Sequence, residues 1–440
     1  SIRGQNLAFG LGRVADATEV LEGAAEHIAD PDLRARLITE RAMVAAINGD
    51  FEACRAASDS VLAEPATSDV SRAAAYVTLT IALGMTGDCD RMDAVVDEAR
   101  AVAGRARDVL PFAVDQVAVM QTASAVNAGR LDEANELCRT AIARADRGNA
   151  MLTTWLSTSV MGHEMTGQLR DAEAAAETAL PLFAAADPFG LEAQVRGLMT
   201  LTAGQMGRSL PEDFVDARKV PGAGARVSVW LHRGKAWSAA AAGDLERAVE
   251  RALAGARAGL DDEHFAWAAF SLSDAVRFGA AERTLDMFEV VDGSKGAHLV
   301  QAMKDQATAS ASGDADQLTE IARRYAGMHA WLLAADTFAQ ASTAFDEIDR
   351  AEDAARSATL SMAAERHCQQ PVTPALSARP SIVSAREIEV ALDAADGLTS
   401  PEIAERRFIS VRTVDNHLRA VYRKLSVSGR DELADLLRLS

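Results

Sequence analysis

Apolar residues recur at three- and four-residue spacing through most of the chain, and strict alternation of apolar and polar positions is nearly absent. That pattern predicts helices and argues against a sheet. The breaks between helical stretches share one element: Gly, then Asp or Arg, then an apolar residue, with a small residue further on. It reads Gly49-Asp50-Phe51, Gly87-Asp88-Cys89, Gly129-Arg130-Leu131 with Ala134, Gly167-Gln168-Leu169 with Ala172, and Gly243-Asp244-Leu245 with Ala248. Weaker copies fall at Gly207, Gly279, Gly313 and Asp349, and the intervals are 38, 42, 38, 40, 36, 36, 34 and 36 residues. Gly ends a helix in the left-handed conformation without a Cβ penalty. The apolar residue two on starts the next helix's buried seam, and the small residue five on lets the two helices approach. Each unit is therefore expected to be a helical hairpin that buries its apolar face only by stacking on its neighbours.

This array is expected over residues 1–368. Arg208 to Arg226 contains Pro211, Pro221, Gly222 and Gly224, and predicts an interruption that divides the stack. The segment 369–381 holds Pro371, Pro374 and Pro380, so a stiff linker is expected there. Residues 382–440 then form a compact helical module. Ser384 and Glu387 fit a capping box that opens a helix from Ala385 to Ala395. Ser400-Pro401 starts a second helix, anchored by Ile403, Ala404 and Phe408. Phe408-Ile409-Ser410 makes a turn, and Ser410 caps a third helix.

The third helix has two faces. Val414, His417 or Leu418, Val421 and Leu425 form a buried stripe; Arg412, Asp415, Asn416, Arg419 and Arg423 lie opposite. Charge sharpens the picture. The chain carries a net charge of -19, yet residues 376–440 hold ten Lys+Arg and ten Asp+Glu, so 35 basic against 54 acidic residues elsewhere account for all of it. Arg406, Arg407, Arg412, Arg419, Arg423 and Lys424 face one acid, Asp415, between 406 and 424. Long cations with an amide and a carboxylate are what reading base edges requires: Arg donates to guanine, Asn pairs with adenine, Asp accepts from cytosine. A merely solvated face would carry Glu and Lys in i,i+4 order, which is absent.

The repeat element resembles the tetratricopeptide repeat, most clearly at 127–145 and 241–256, although several periods are longer and most of the expected Trp and Tyr landmarks are missing. In the C-terminal module, Glu387 with Val390, Gly397-Leu398-Thr399, Glu402-Ile403-Ala404, Ile409 to Val414, His417 and Arg423-Lys424-Leu425 resemble the LuxR-type helix-turn-helix family. The resemblance implies a four-helix DNA-binding domain whose third helix, 411–424, enters the major groove. On it, Asp415, Asn416 and Arg419 would meet bases, and Ser410, Arg412, Thr413, Arg423 and Lys424 would meet phosphates. Leu433, Leu436 and Leu437 on a fourth helix would serve a homodimer. The joint arrangement is similar to the C-terminal part of the large ATP-binding regulators of that family. No GxxxxGK[ST] loop occurs, so any ATPase would lie before Ser1; the missing initiator Met fits a fragment.

The expectation is thus an all-α transcription regulator of double-stranded DNA. Its repeats would sense a small molecule or protein, with Trp230, His232 and Trp237 as a candidate ligand pocket and His264, Phe265 and Trp267 as a second aromatic cluster. Aromatic residues at helical spacing are usually packing, so a core is the plainer expectation for both clusters. The charge split further suggests that the acidic array holds the basic helix until an effector arrives. The rival reading is an interaction scaffold whose terminal module only dimerises. Enzyme signatures such as HExxH, GxSxG and dinucleotide loops are absent, so no catalytic residue, metal site or cofactor is implied. Cys54, Cys89, Cys138 and Cys368 form no CxxC pair, and with no bilayer-crossing stretch or secretory signal a cytoplasmic location is expected.

Overall fold

The intervals of the sequence pattern become stacked helices. The computed structural model describes residues 13–145, 151–184, 187, 190–215, 224–291, 295–380 and 382–439, with the single positions 4 and 7. These residues are helical throughout and form no sheet. Helix α1 (Val14–Glu26) is followed by the pairs α2 (Pro31–Ile47) and α3 (Phe51–Leu62), α4 (Asp69–Thr86) and α5 (Cys89–Arg105), α6 (Ala113–Asn127) and α7 (Leu131–Arg144), and α8 (Leu152–Met165) and α9 (Leu169–Ala179). Then come α10 (Leu191–Gln205), the pair α11 (Gly224–Ala241) and α12 (Leu245–Asp261), α13 (Phe265–Arg277), and the pairs α14 (His298–Ser312) with α15 (Ala315–Gly327) and α16 (Trp331–Glu347) with α17 (Ala351–Glu365).

All nine turn positions read from the sequence are left-handed, with φ from 58° at Asp349 to 88° at Gly279. The apolar residue two on is buried at Phe51, Cys89, Leu131 and Leu169; Leu245 departs, at 39% exposed. Ala134, Ala172 and Ala248 are wholly buried, as close helix approach requires. The Asp of the element has a separate job: Asp50, Asp88 and Asp244 accept from the amides of Ala53, Arg91 and Arg247, capping the second helix of each pair.

The array coils tightly enough to touch itself. Helix α4 meets α13, α6 meets α14 and α8 meets α16. The turns follow the same order. Phe51 packs on the His264 ring at 5.1 Å, the Cys89 amide donates to the Lys295 carbonyl at 2.8 Å, and His329 Nδ1 lies 2.7 Å from Asp132 Oδ2.

Two expectations need correction. The stack is not interrupted at 208–226. Helices α10 and α11, on either side, pack backbone to backbone: a Cβ at Gly197 would fall 2.6 Å from the Trp230 carbonyl oxygen, and one at Gly204 2.6 Å from that of Trp237. Proline and glycine there mark only the connection, of which 216–223 lie outside the described residues. Nor is 369–381 a free spacer. The Gln369 amide donates to the Gly167 carbonyl, the Val372 amide to that of Gln205 at 2.7 Å, and Thr373 both caps the short helix α18 (Pro374–Ala378) and donates to Asp336. The segment is a strap bound along the array.

A buried polar network supports this closure. Arg233 holds Asp274 at 2.6 Å, Arg277 holds Asp336 at 2.7 Å, and Gln205 donates to Glu164 at 2.8 Å. It ties α8, α10, α11, α13 and α16 to the strap through Thr373.

Candidate nucleic-acid interface

The module is built of α19 (Ala385–Ala395), α20 (Ser400–Arg407), α21 (Val411–Leu425) and α22 (Arg430–Leu437). Its start is the expected capping box: the Glu387 amide donates to Ser384 Oγ, and Glu387 Oε2 accepts from the Ser384 amide at 2.7 Å. The second helix starts at Ser400, as expected, and its cap is the residue before it. Thr399, in extended backbone, forms a capping box with Glu402, with Pro401 in the first turn. Ser400 is thereby freed, and its hydroxyl donates to Asp415 at 2.9 Å.

Phe408 ends α20 at φ 54°, and its ring is 95% exposed. It does not anchor the helix; the left-handed backbone turns the side chain outward, and Ile403 and Ala404 do the anchoring. Ser410 accepts from the Thr413 amide at 3.1 Å and so starts α21. Val414, Leu418, Val421 and Leu425 bury the inner stripe, with Leu418 rather than His417 filling the second place.

On the outer side, Arg412, Asn416, Arg419 and Arg423 are exposed, and Arg419 Nη1 donates to Asn416 Oδ1 at 3.0 Å. Among the described residues these three arginines make no ion pair. The other cations of the basic run are committed. Arg406 and Arg407 pair with Asp393 at 3.3 and 2.5 Å. Lys424 Nζ sits 2.7 Å from Glu387 Oε2, so it is engaged within the module rather than open as expected of a phosphate contact. Burial raises the Glu387 pKa, but Lys424 and the Ser384 hydroxyl and amide outweigh it and hold the carboxyl below the usual range. Asp415 is half-buried and accepts from Ser400, which also accepts from Arg430 at 2.9 Å; it too is engaged rather than open.

The fourth helix faces inward. Leu433 and Leu437 are buried within the subunit, because α22 packs on α19 and α17, and only Leu436 is partly open to a second copy. The aromatic pocket expected in the array is also core. Trp230 and Trp237 are fully buried, Trp230 edge-on to Trp267 at 5.5 Å and Trp237 donating to Asp274 at 2.9 Å. His232 is half-buried, and burial with the charges of Arg251 and Lys235 lowers its pKa. Periodicity does not separate a tryptophan in a core from one on a cavity wall.

A cationic, amide-bearing ridge on the second helix of a helix-turn-helix is a groove-reading geometry. Residues 381–437 match the family of bacterial regulatory proteins called the luxR family. A search of curated proteins returns no match for the chain. The luxR-type module is docked on the array by its back. Arg356 of α17 donates to the carbonyls of Leu425 at 3.0 Å and Ser426 at 3.4 Å, and Arg366 pairs with Asp396 at 3.1 Å. The array therefore grips the C-terminal end of α21 and leaves Arg412, Asn416, Arg419 and Arg423 exposed. The idea that the acidic array covers the basic helix does not hold for this arrangement.

Proposed function

We propose that the chain is a DNA-binding transcription regulator in which α21 reads the major groove and the helical array senses an effector. One observation carries this reading: Arg412, Arg419 and Arg423 stand open and without acid partners, one beside Asn416, in a chain whose other arginines are repeatedly matched to carboxylates. Arg419 and Asn416 are the base readers. Asp415 joins them if its bond to Ser400 yields. Arg412, Arg423, Ser410 and Thr413 hold phosphates, with Lys424 as a reserve. Binding as a homodimer would place half-sites about one helical turn apart. The tetratricopeptide-like character of the array, and the absence of catalysis, are part of the same reading.

The test is binding of the full chain to random duplex DNA over a range of salt. Phosphate neutralisation releases counterions, so affinity must fall steeply with salt, and Arg423→Ala should reduce the log–log slope by about one unit. A scaffold whose module only dimerises would show no salt-dependent binding, and that outcome would remove the proposal.

A further inference from the structure

The sensing half of the reading above leaves the effector and its site open, and the array supplies both. Along the inside of the coil, the inner faces of α4, α6, α8 and α10 line a half-open cavity of about 160 Å³ with Met85, Met120, Met151 and Met161 on its wall. Trp267 of α13 closes it from the opposite half of the array. None of the described residues on the wall is charged. Its polar groups are few: Gln116, Gln194 and three hydroxyls, among which that of Thr154 is buried without a hydrogen-bond partner. Gln116 also lines a separate neighbouring cavity of about 330 Å³, whose wall includes the charged Arg36 and Glu40 beside Val44, Val77 and Leu110.

We infer that this methionine-lined cavity is a binding site for a neutral, elongated, apolar small molecule carrying one hydrogen-bonding group. The wall chemistry sets the class. A carboxylate or phosphate would lose its hydration with no counter-charge to meet it. Methionine side chains adapt to varied apolar shapes, and the Thr154 hydroxyl, without a protein partner, is placed to bond an occupant's polar group. Binding sites of this kind are mostly apolar with few placed polar groups. The site also has a structural consequence. An occupant touches both halves of the coil, and α13 carries Asp274 and Arg277, which connect to Asp336 and the strap.

The experiment uses the full chain and no DNA, so its failure is distinct from failure of the DNA-binding reading. Calorimetric titration with 1-decanol is compared with decanoate, the charged molecule of equal chain length, at pH 7.5. Saturable 1:1 binding of decanol is expected, with decanoate at least ten-fold weaker. Ala123→Phe, whose ring would fill the cavity, should weaken decanol at least ten-fold, and Ala123→Ser should not. Trp267→Phe should abolish the emission change that decanol produces, which keeps the test valid if Ala123→Phe does not fold. No saturable binding by the unaltered chain, equal binding of decanoate, undiminished binding by folded Ala123→Phe, or an unchanged emission response in Trp267→Phe would each overturn the site.

Discussion

Single residues in the module show how a charge or a φ angle divides labour between structure and contact. Lys424 and Arg423 are adjacent in sequence and alike in charge, yet one is paired with a carboxylate of 10% side-chain exposure and the other points to solvent. Sequence alone gives them the same role, because the partner Glu387 lies 37 residues away. Lys424→Met should therefore cost the fold about 1 kcal/mol at pH 7. Glu387 titrates below its ordinary value in the folded state, so the stability it contributes is fully present above the usual carboxylate range and is lost as pH falls from there through the lowered folded value. The difference between Lys424→Met and the unaltered chain should shrink on acidification, as read by chemical denaturation. Phe408 offers the opposite sign. A bulky residue at φ 54° whose ring touches solvent gives up backbone energy without packing in return. Phe408→Gly should raise stability by about 1 kcal/mol, and a loss measured by the same denaturation would show that the ring has a structural contact.

At the scale of elements, the regular features were legible and the contacts between distant turns were not. The bounds of α19 and the Ser410 cap follow from local hydrogen-bonding chemistry, which the sequence carries directly. Eight of the nine left-handed turns fall at regularly spaced glycines, and the ninth, at Asp349, keeps the interval. The start of α20 at Ser400 was legible from Pro401, while its cap, Thr399, is marked by Glu402 three residues on. The continuity of the stack at 208–226 was hidden for a different reason. Gly197, Gly204 and Gly234 sit inside helices, where glycine reads as a weakness, but each permits a backbone contact between α10 and α11. Gly204→Ala should destabilise the chain by about 1–3 kcal/mol through overpacking. Gly243→Ala, where no atom lies near the added Cβ, should act only through its positive φ. The two melting curves separate packing from backbone strain.

For the whole molecule, the arrangement of array and module changes what control can mean. The charge split between them suggests masking, but Arg356 and Arg366 hold the module from behind and the reading ridge stays open. In this arrangement the dock leaves access to α21 unobstructed. Arg356→Ala should thus alter DNA affinity less than three-fold under conditions where the module remains folded; a gain of ten-fold or more in a mobility-shift titration would restore the masking idea. No helix among the described residues is long and apolar enough to cross a membrane.

The most direct test of the account is selection of duplexes by the full chain from a random pool, run in parallel with Arg419→Ala. The account predicts that the unaltered chain enriches a defined motif, as two half-sites about one helical turn apart, and that Arg419→Ala stays helical but relaxes the preference at one base pair per half-site, worth about 1–3 kcal/mol. Recovery of no motif, or of the same motif with undiminished preference by Arg419→Ala, would contradict it.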